Sequence, residues 1–109
     1  MPKDLTPAAF NILLCLASGS MHGYAIIQNV KNSTEGRVKL NPGTLYSTIK
    51  KLLETGLIAE SEIRPEDDDE RRRYYALTSI GRKVVQAEAQ HLERLVKQAR
   101  SVKLLKGTA

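Results

Sequence analysis

The sequence predicts a mostly α-helical chain with a small β-hairpin wing and one long closing helix. Three observations carry this expectation. Two cap-then-proline starts, Thr6-Pro7 and Asn41-Pro42, open helices in the first half. Two short strand-like runs, Leu57 to Ile63 and Arg72 to Leu77, flank the polar stretch RPEDDDER. After Thr78, helical periodicity continues to about Lys103.

Thr6 can cap and Pro7 suits a first helical position, so a largely buried helix covers Ala8 to Ala17 and closes at Ser18-Gly19. A second helix opens near His22-Gly23-Tyr24 and runs to about Asn32, with Tyr24, Ile27 and Val30 at helical spacing. Ser33 to Gly36 reads as a turn. The alternation in Arg37-Val38-Lys39-Leu40 fits a short strand. The third helix starts at Asn41-Pro42. Leu45, Ile49, Leu52 and Leu53 share its inner face, and Gly56 supplies the left-handed position after its end. The hairpin that follows has a tip longer than the commonest two- to five-residue connections.

Thr78 caps the last helix, Ser79 to about Lys103, which at ~1.5 Å per residue spans roughly 37 Å. That is longer than the small domain before it can cover. Val85, Ala89, Leu92, Val96 and Ala99 recur at spacings of 4, 3, 4 and 3, a heptad-like seam flanked by Leu95 and Val102. A projecting helix with such a seam needs a partner, and a second copy of the chain is the simplest one. The alternative is a helix folded back over its own domain. Residues 1–78 are thus expected to form one unit, and 79–109 a dimerisation helix and a tail that frays at Gly107-Thr108-Ala109.

A length of 109 residues favours one modest core, and 41% apolar with 27% charged residues is an ordinary globular profile. No apolar run approaches the ~20 residues that cross a bilayer, and MPKDLTPAAF has no signal-peptide core, so a cytoplasmic protein without a membrane partner is expected. Cys15, the one cysteine, lies in the apolar run NILLCLA and reads as inert core. His22 and His91 stand far apart, and no zinc-type Cys/His spacing, P-loop, dinucleotide fingerprint or nucleophile elbow appears. An enzyme is not expected, nor a metal or cofactor.

Net charge is +5, although five acids lie together in Glu66-Asp67-Asp68-Asp69-Glu70. Without that run the basic surplus would double. Such a body suits a polyanionic partner or simply favours solubility. The order helix, helix, short strand, helix, hairpin, helix is that of a winged helix-turn-helix, whose third helix enters the DNA major groove. At roughly 100° per residue, the face opposite Leu45, Ile49, Leu52 and Leu53 centres on Ser47. Gly43, Thr44, Lys50, Lys51 and Glu54 surround it, with Tyr46 and Thr48 at its borders. Lys50 and Lys51 suit phosphates or guanine edges, Ser47 and Thr44 are short enough to approach bases, and Tyr46 brings a hydroxyl to the rim. Gly43 leaves room where the helix nears a nucleic-acid backbone, and the free amides of the first turn favour an anion. The same residues also fit an ordinary solvated helix face.

HGYAI (22–26), PGTLYSTIKKLLETGLI (42–58), RRRYYALTSIGR (71–82) and the long closing helix occur in the order found in the PadR-like transcriptional regulators. The chain resembles the short form, the second subfamily, and the motifs cover most of its length. The resemblance implies a cytoplasmic homodimer, usually a repressor, on an inverted-repeat operator in double-stranded DNA. It implies dimerisation through the last helix with help from the first. It also assigns DNA contacts to Gly43, Thr44, Tyr46, Ser47 and Lys50 and to the wing arginines Arg71, Arg72 and Arg73, while periodicity puts Leu45 in the core.

The acidic tip should be repelled by phosphates. The arginines at its base are expected to touch DNA while the tip points away or pairs with them; a disordered charged loop is the alternative. Tyr74 and Tyr75 adjoin on a strand and should face opposite sides, Tyr75 inward. Some short-form relatives hold flat aromatic compounds with a tryptophan, which this chain lacks. A small apolar effector of another kind stays compatible with the reading. The competing function is a winged-helix protein-interaction module, which would show an apolar patch on residues 43–51.

Overall fold

A computed structural model describes residues 5–106; the frayed tail expected at 107–109 and the first four residues lie outside them. Four helices, α1 (Pro7–Leu16), α2 (Gly23–Ser33), α3 (Pro42–Glu54) and α4 (Ser79–Ser101), surround a sheet of β1 (Met21–His22), β2 (Ile58–Ser61) and β3 (Tyr74–Leu77). The strand order is β1-β3-β2, antiparallel throughout, with Met21 opposite Tyr75 and Ile58 opposite Leu77. Together they form a winged helix-turn-helix with a long C-terminal helix.

The helix starts are made by their caps. The side chains of Thr6, His22, Asn41 and Thr78 accept hydrogen bonds from the backbone N–H groups of Ala9, Ala25, Thr44 and Gly81, each satisfying a donor that helix geometry leaves unpaired. Behind α3, Gly56 takes φ +76°, and the Leu57 N–H reaches back to the Leu52 carbonyl at 3.0 Å. The core lies where α1, α2 and α3 meet: Ile12, Leu13, Ile26 and Leu45 have no exposed surface. Burial of each such side chain stabilises by roughly 1.5–3 kcal/mol.

One expectation needs correction and two are refined. No strand forms at Arg37 to Leu40. Thr34 ends α2 and its hydroxyl binds both the Val30 carbonyl (2.8 Å) and the Val38 N–H (3.1 Å), while Glu35 and Gly36 turn the chain at positive φ. The edge of β3 that such a strand would need is taken by Met21-His22. The alternation instead reflects Val38 and Leu40 packing inward from a loop. On α2 the buried positions are Gly23, Ile26 and Val30, so Tyr24 stands 65% exposed and Ile27 half-buried. Tyr74 and Tyr75 are both buried: Tyr75 joins the main core, whereas Tyr74 is roofed by the wing.

α4 projects rather than folding back. No residue beyond Val85 is buried on it, and the molecule measures 51 × 26 × 25 Å. Its radius of gyration, 15.4 Å, exceeds the ~13 Å of a compact chain of this length. Val85, placed on the dimer seam by its spacing, belongs to the chain's own core. The first turn of α4 lies so close to the residue before β2 that a Cβ on Gly81 would stand 1.9 Å from the Leu57 carbonyl oxygen.

Candidate nucleic-acid interface

The inner residues of α3, Leu45, Ile49 and Leu52, are buried, and Leu53 is half-buried. That anchoring turns Gly43, Thr44, Tyr46, Ser47, Lys50, Lys51 and Glu54 outward, with Thr48 at the border. The Asn41 side chain caps the helix by accepting from the Thr44 N–H at 2.8 Å. The Ser47 hydroxyl donates to the Thr44 carbonyl at 3.1 Å, which keeps it close to the helix surface and leaves its lone pairs outward. Among the described residues neither Lys50 nor Lys51 pairs with a carboxylate. No apolar patch occupies residues 43–51.

Tyr46 is 53% exposed, and its hydroxyl lies over Gly23, where a Cβ would meet it at 2.7 Å. This contact joins the start of α2 to α3. Between them and the base of the wing opens a cleft of about 290 Å³. It is lined by His22, Tyr24, Tyr46 and Tyr75 together with Arg71, Arg72 and Arg73. Burial, then Tyr46 and Glu60 nearby, pushes the Tyr75 hydroxyl above its ordinary pKa.

The His22 ring faces both ways. Its Nδ1 accepts from the Ala25 N–H at 3.2 Å, which places the proton of the neutral ring on Nε2. The 3.5 Å approach of Nε2 to Arg72 Nη1 therefore brings two donors together and is not a hydrogen bond. The ring packs edge-on against Tyr74 at 5.3 Å. Burial and then Arg72 lower its pKa below 6.5, against an opposing pull from Asp68.

The wing arginines are occupied. Arg71 meets Asp69 at 3.1 Å, Arg72 meets Asp68 at 2.9 Å and Arg73 meets Glu60 at 3.4 Å. Asp68 also accepts from the Tyr74 hydroxyl, which is the largest cause of its lowered pKa, and the same bond raises that of Tyr74. Arg64 ties the loop down by donating to the Arg72 carbonyl at 2.6 Å and to the Asp69 carbonyl, its guanidinium 5.0 Å above the Tyr74 ring. The tip is thus folded onto its own base.

Of the seam residues, Ala89, Leu92 and Val96 are exposed and Ala99 half-buried, continuous with exposed Leu95 and Val102. Leu14 on α1 is 48% exposed. Sequence reasoning did not assign Tyr24, His22 or Arg64 to the interface region. The signal for the first two was the HGY run at a helix start; Arg64 carried none, because its role depends on the hairpin closing.

No helix of the described chain is long and apolar enough to cross a membrane, and among the described residues no cluster of three His, Cys, Asp or Glu side chains could hold a metal ion. In overall structure the chain is similar to a transcriptional regulator from Clostridium thermocellum, at 27% identity and TM-score 0.68, with 90% of each chain covered. It shares its fold with a PadR family transcription regulator from Clostridium difficile, at 22% identity and TM-score 0.73, covering 89% of this chain and 98% of that one. A 37.1 kDa protein in transposon TN4556 of Streptomyces fradiae is 34% identical over 84 residues, which are 77% of this chain and only 22% of that protein. The family model described as "Transcriptional regulator PadR-like family" matches residues 12–87. The chain belongs to the PadR-like family of transcriptional regulators.

Proposed function

We propose that the chain is a sequence-specific repressor acting as a cytoplasmic homodimer on an inverted-repeat operator. The observation that carries this reading is the outer face of α3, where Lys50 and Lys51 stand exposed, unpaired among the described residues, beside Thr44 and Ser47 while Leu45 and Ile49 are buried behind them. Such a face can enter a major groove without unburying anything. The lysines meet phosphates or guanine edges, Thr44 and Ser47 approach bases, and the first-turn amides beside Gly43 meet a phosphate. Tyr46, Tyr24 and the arginines Arg71, Arg72 and Arg73 line the cleft next to it, where the adjacent backbone would run.

Residues 1–78 would hold the DNA, and 79–109 the partner. The seam of exposed Ala89, Leu92 and Val96 and half-buried Ala99, with Leu14 from α1, is the apolar surface that a second copy would cover. A two-fold pair must set its reading helices about 34–36 Å apart to reach successive major grooves.

Nuclease protection of the DNA upstream of its own gene, with a fluorescence titration of that duplex over a salt series, tests the reading. Lys50→Ala with Lys51→Ala should weaken binding and flatten the salt dependence by about 0.9 for each lysine that neutralises a phosphate. Unchanged affinity and slope would show that another face holds the DNA.

A further inference from the structure

We propose that the acidic tip of the wing competes with DNA for the wing's own arginines, so that Asp68 and Asp69 set how weakly the protein holds DNA it does not read. This rests on the DNA-binding reading above.

The two groups of cations at the interface are in opposite states. Lys50 and Lys51 are unpaired among the described residues, whereas each of the three wing arginines meets a carboxylate of the wing. Arg71 presents Nε and Nη2 to the two carboxylate oxygens of Asp69, at 3.2 and 3.1 Å. That fork is the geometry a guanidinium would otherwise offer to phosphate, and it cannot serve both at once. Asp69 is also held by the Arg71 N–H at 2.9 Å. Asp68 is more enclosed, its side chain 14% exposed, and it is fixed by Tyr74 as well as by Arg72. Arg64 fastens the intervening backbone. The carboxylates therefore stay in place as an arginine leaves, and the wing engages DNA only by exchanging carboxylate for phosphate.

The cost of that exchange applies wherever the wing engages DNA. On a random duplex, phosphate contacts supply essentially all of the affinity, so an arginine held by the tip is missing in full. On a matching operator the base contacts of α3 add to the total, and the wing's share is smaller. Carboxylates that would only repel DNA if they projected thus lower the affinity for both, and on the random duplex no base contacts offset the loss.

The test uses the full chain, a random-sequence duplex and the duplex upstream of its own gene. Asp69→Asn leaves the Asp68–Tyr74 anchor intact; Asp68→Asn with Asp69→Asn removes both charges while keeping an acceptor for Tyr74. An exposed pair is worth at most about fivefold, so the double variant should hold the random duplex about tenfold more tightly and the single one roughly threefold. The salt slope should steepen by about one for each arginine freed. Arg71→Ala should cancel the gain of Asp69→Asn. A charge control, Glu35→Gln with Glu93→Gln, alters two exposed acids away from the wing and should give a smaller gain. Unchanged affinity of the aspartate variants for random DNA overturns the proposal while leaving the DNA-binding reading standing. So does an equal gain in the charge control, or one that survives Arg71→Ala. If the unaltered protein bound neither duplex at any salt concentration, the DNA-binding reading would fall first, and this one with it.

Discussion

Replacing Gly81 by alanine should destabilise the protein although helix propensity favours the change. Gly81 lies in the first turn of α4, and its N–H donates to the capping Thr78 hydroxyl at 3.0 Å. An added Cβ would stand 1.9 Å from the Leu57 carbonyl oxygen, 2.9 Å from its carbon and 3.1 Å from Leu77 Cδ2, where ordinary contact begins at 3.4 Å. The obstacle is backbone and cannot swing aside. The same carbonyl accepts the Thr78 N–H at 3.1 Å, and Leu57 immediately precedes β2, so moving it disturbs the hairpin. Propensity alone would gain at most ~1 kcal/mol, while overpacking costs about 1–3 kcal/mol and more where the neighbour is rigid. The clash wins, and a net loss of about 2 kcal/mol is expected. At about 4–8 °C per kcal/mol for a chain of this size, the melting temperature should fall by roughly 10 °C. Circular dichroism of both proteins in urea and on heating, at one fixed concentration because a dimer's stability depends on it, provides the measurement. A variant as stable as the parent would mean that α4 does not sit on the Leu57 carbonyl as described. That would also free the direction in which the closing helix leaves the domain.

On the proposed dimer, Leu92→Asp with Val96→Asp should give a monomer in sedimentation while leaving the circular dichroism intact, because these side chains are 38% and 37% exposed in the single chain; a persistent dimer would move the interface elsewhere. Gly23→Ala should cost about 1 kcal/mol by pressing on the Tyr46 hydroxyl, and Tyr46→Phe in the same background should recover part of it, read from urea midpoints. Acid should weaken the fold in two steps. The native state lowers the His22 pKa below 6.5, so its contribution is complete above that value and lost as pH falls through the lowered one. Asp68 and Asp69, lowered from 3.8, lose theirs at still lower pH. His22→Asn, which keeps a capping oxygen, should abolish the upper step in a plot of urea midpoint against pH.

The helices were legible because each carries its own local signal. Thr6, Asn41 and Thr78 cap by side chains three residues from the amides they serve, and the stripe Leu45, Ile49, Leu52 needs only helical spacing to be read. What failed depended on partners distant in the chain. Val38 and Leu40 alternate as a strand would, but pairing requires a free edge, and Met21-His22 occupies the edge of β3. A two-residue strand leaves almost no pattern of its own. Val85 shares the heptad spacing of Leu92 and Val96, yet the same helix face passes from the chain's own core to open surface along its length. Periodicity gives a face; it does not say what covers it.

Charge was the least legible property of the site, because it depends on which groups meet. By count, the lysines of α3 and the arginines of the wing contribute alike to a basic surplus. In the folded chain Lys50 and Lys51 meet no carboxylate among the described residues, while Arg71 and Arg72 face carboxylates two and four residues away in sequence. Those acids stand in the turn that returns the chain to the base of the wing, and Arg64 from the loop and Tyr74 from β3 close it. A count of charges therefore overstates the wing and understates α3. The first contact with a polyanion should form on α3, with the wing following only where the gain exceeds the loss of its own ion pairs.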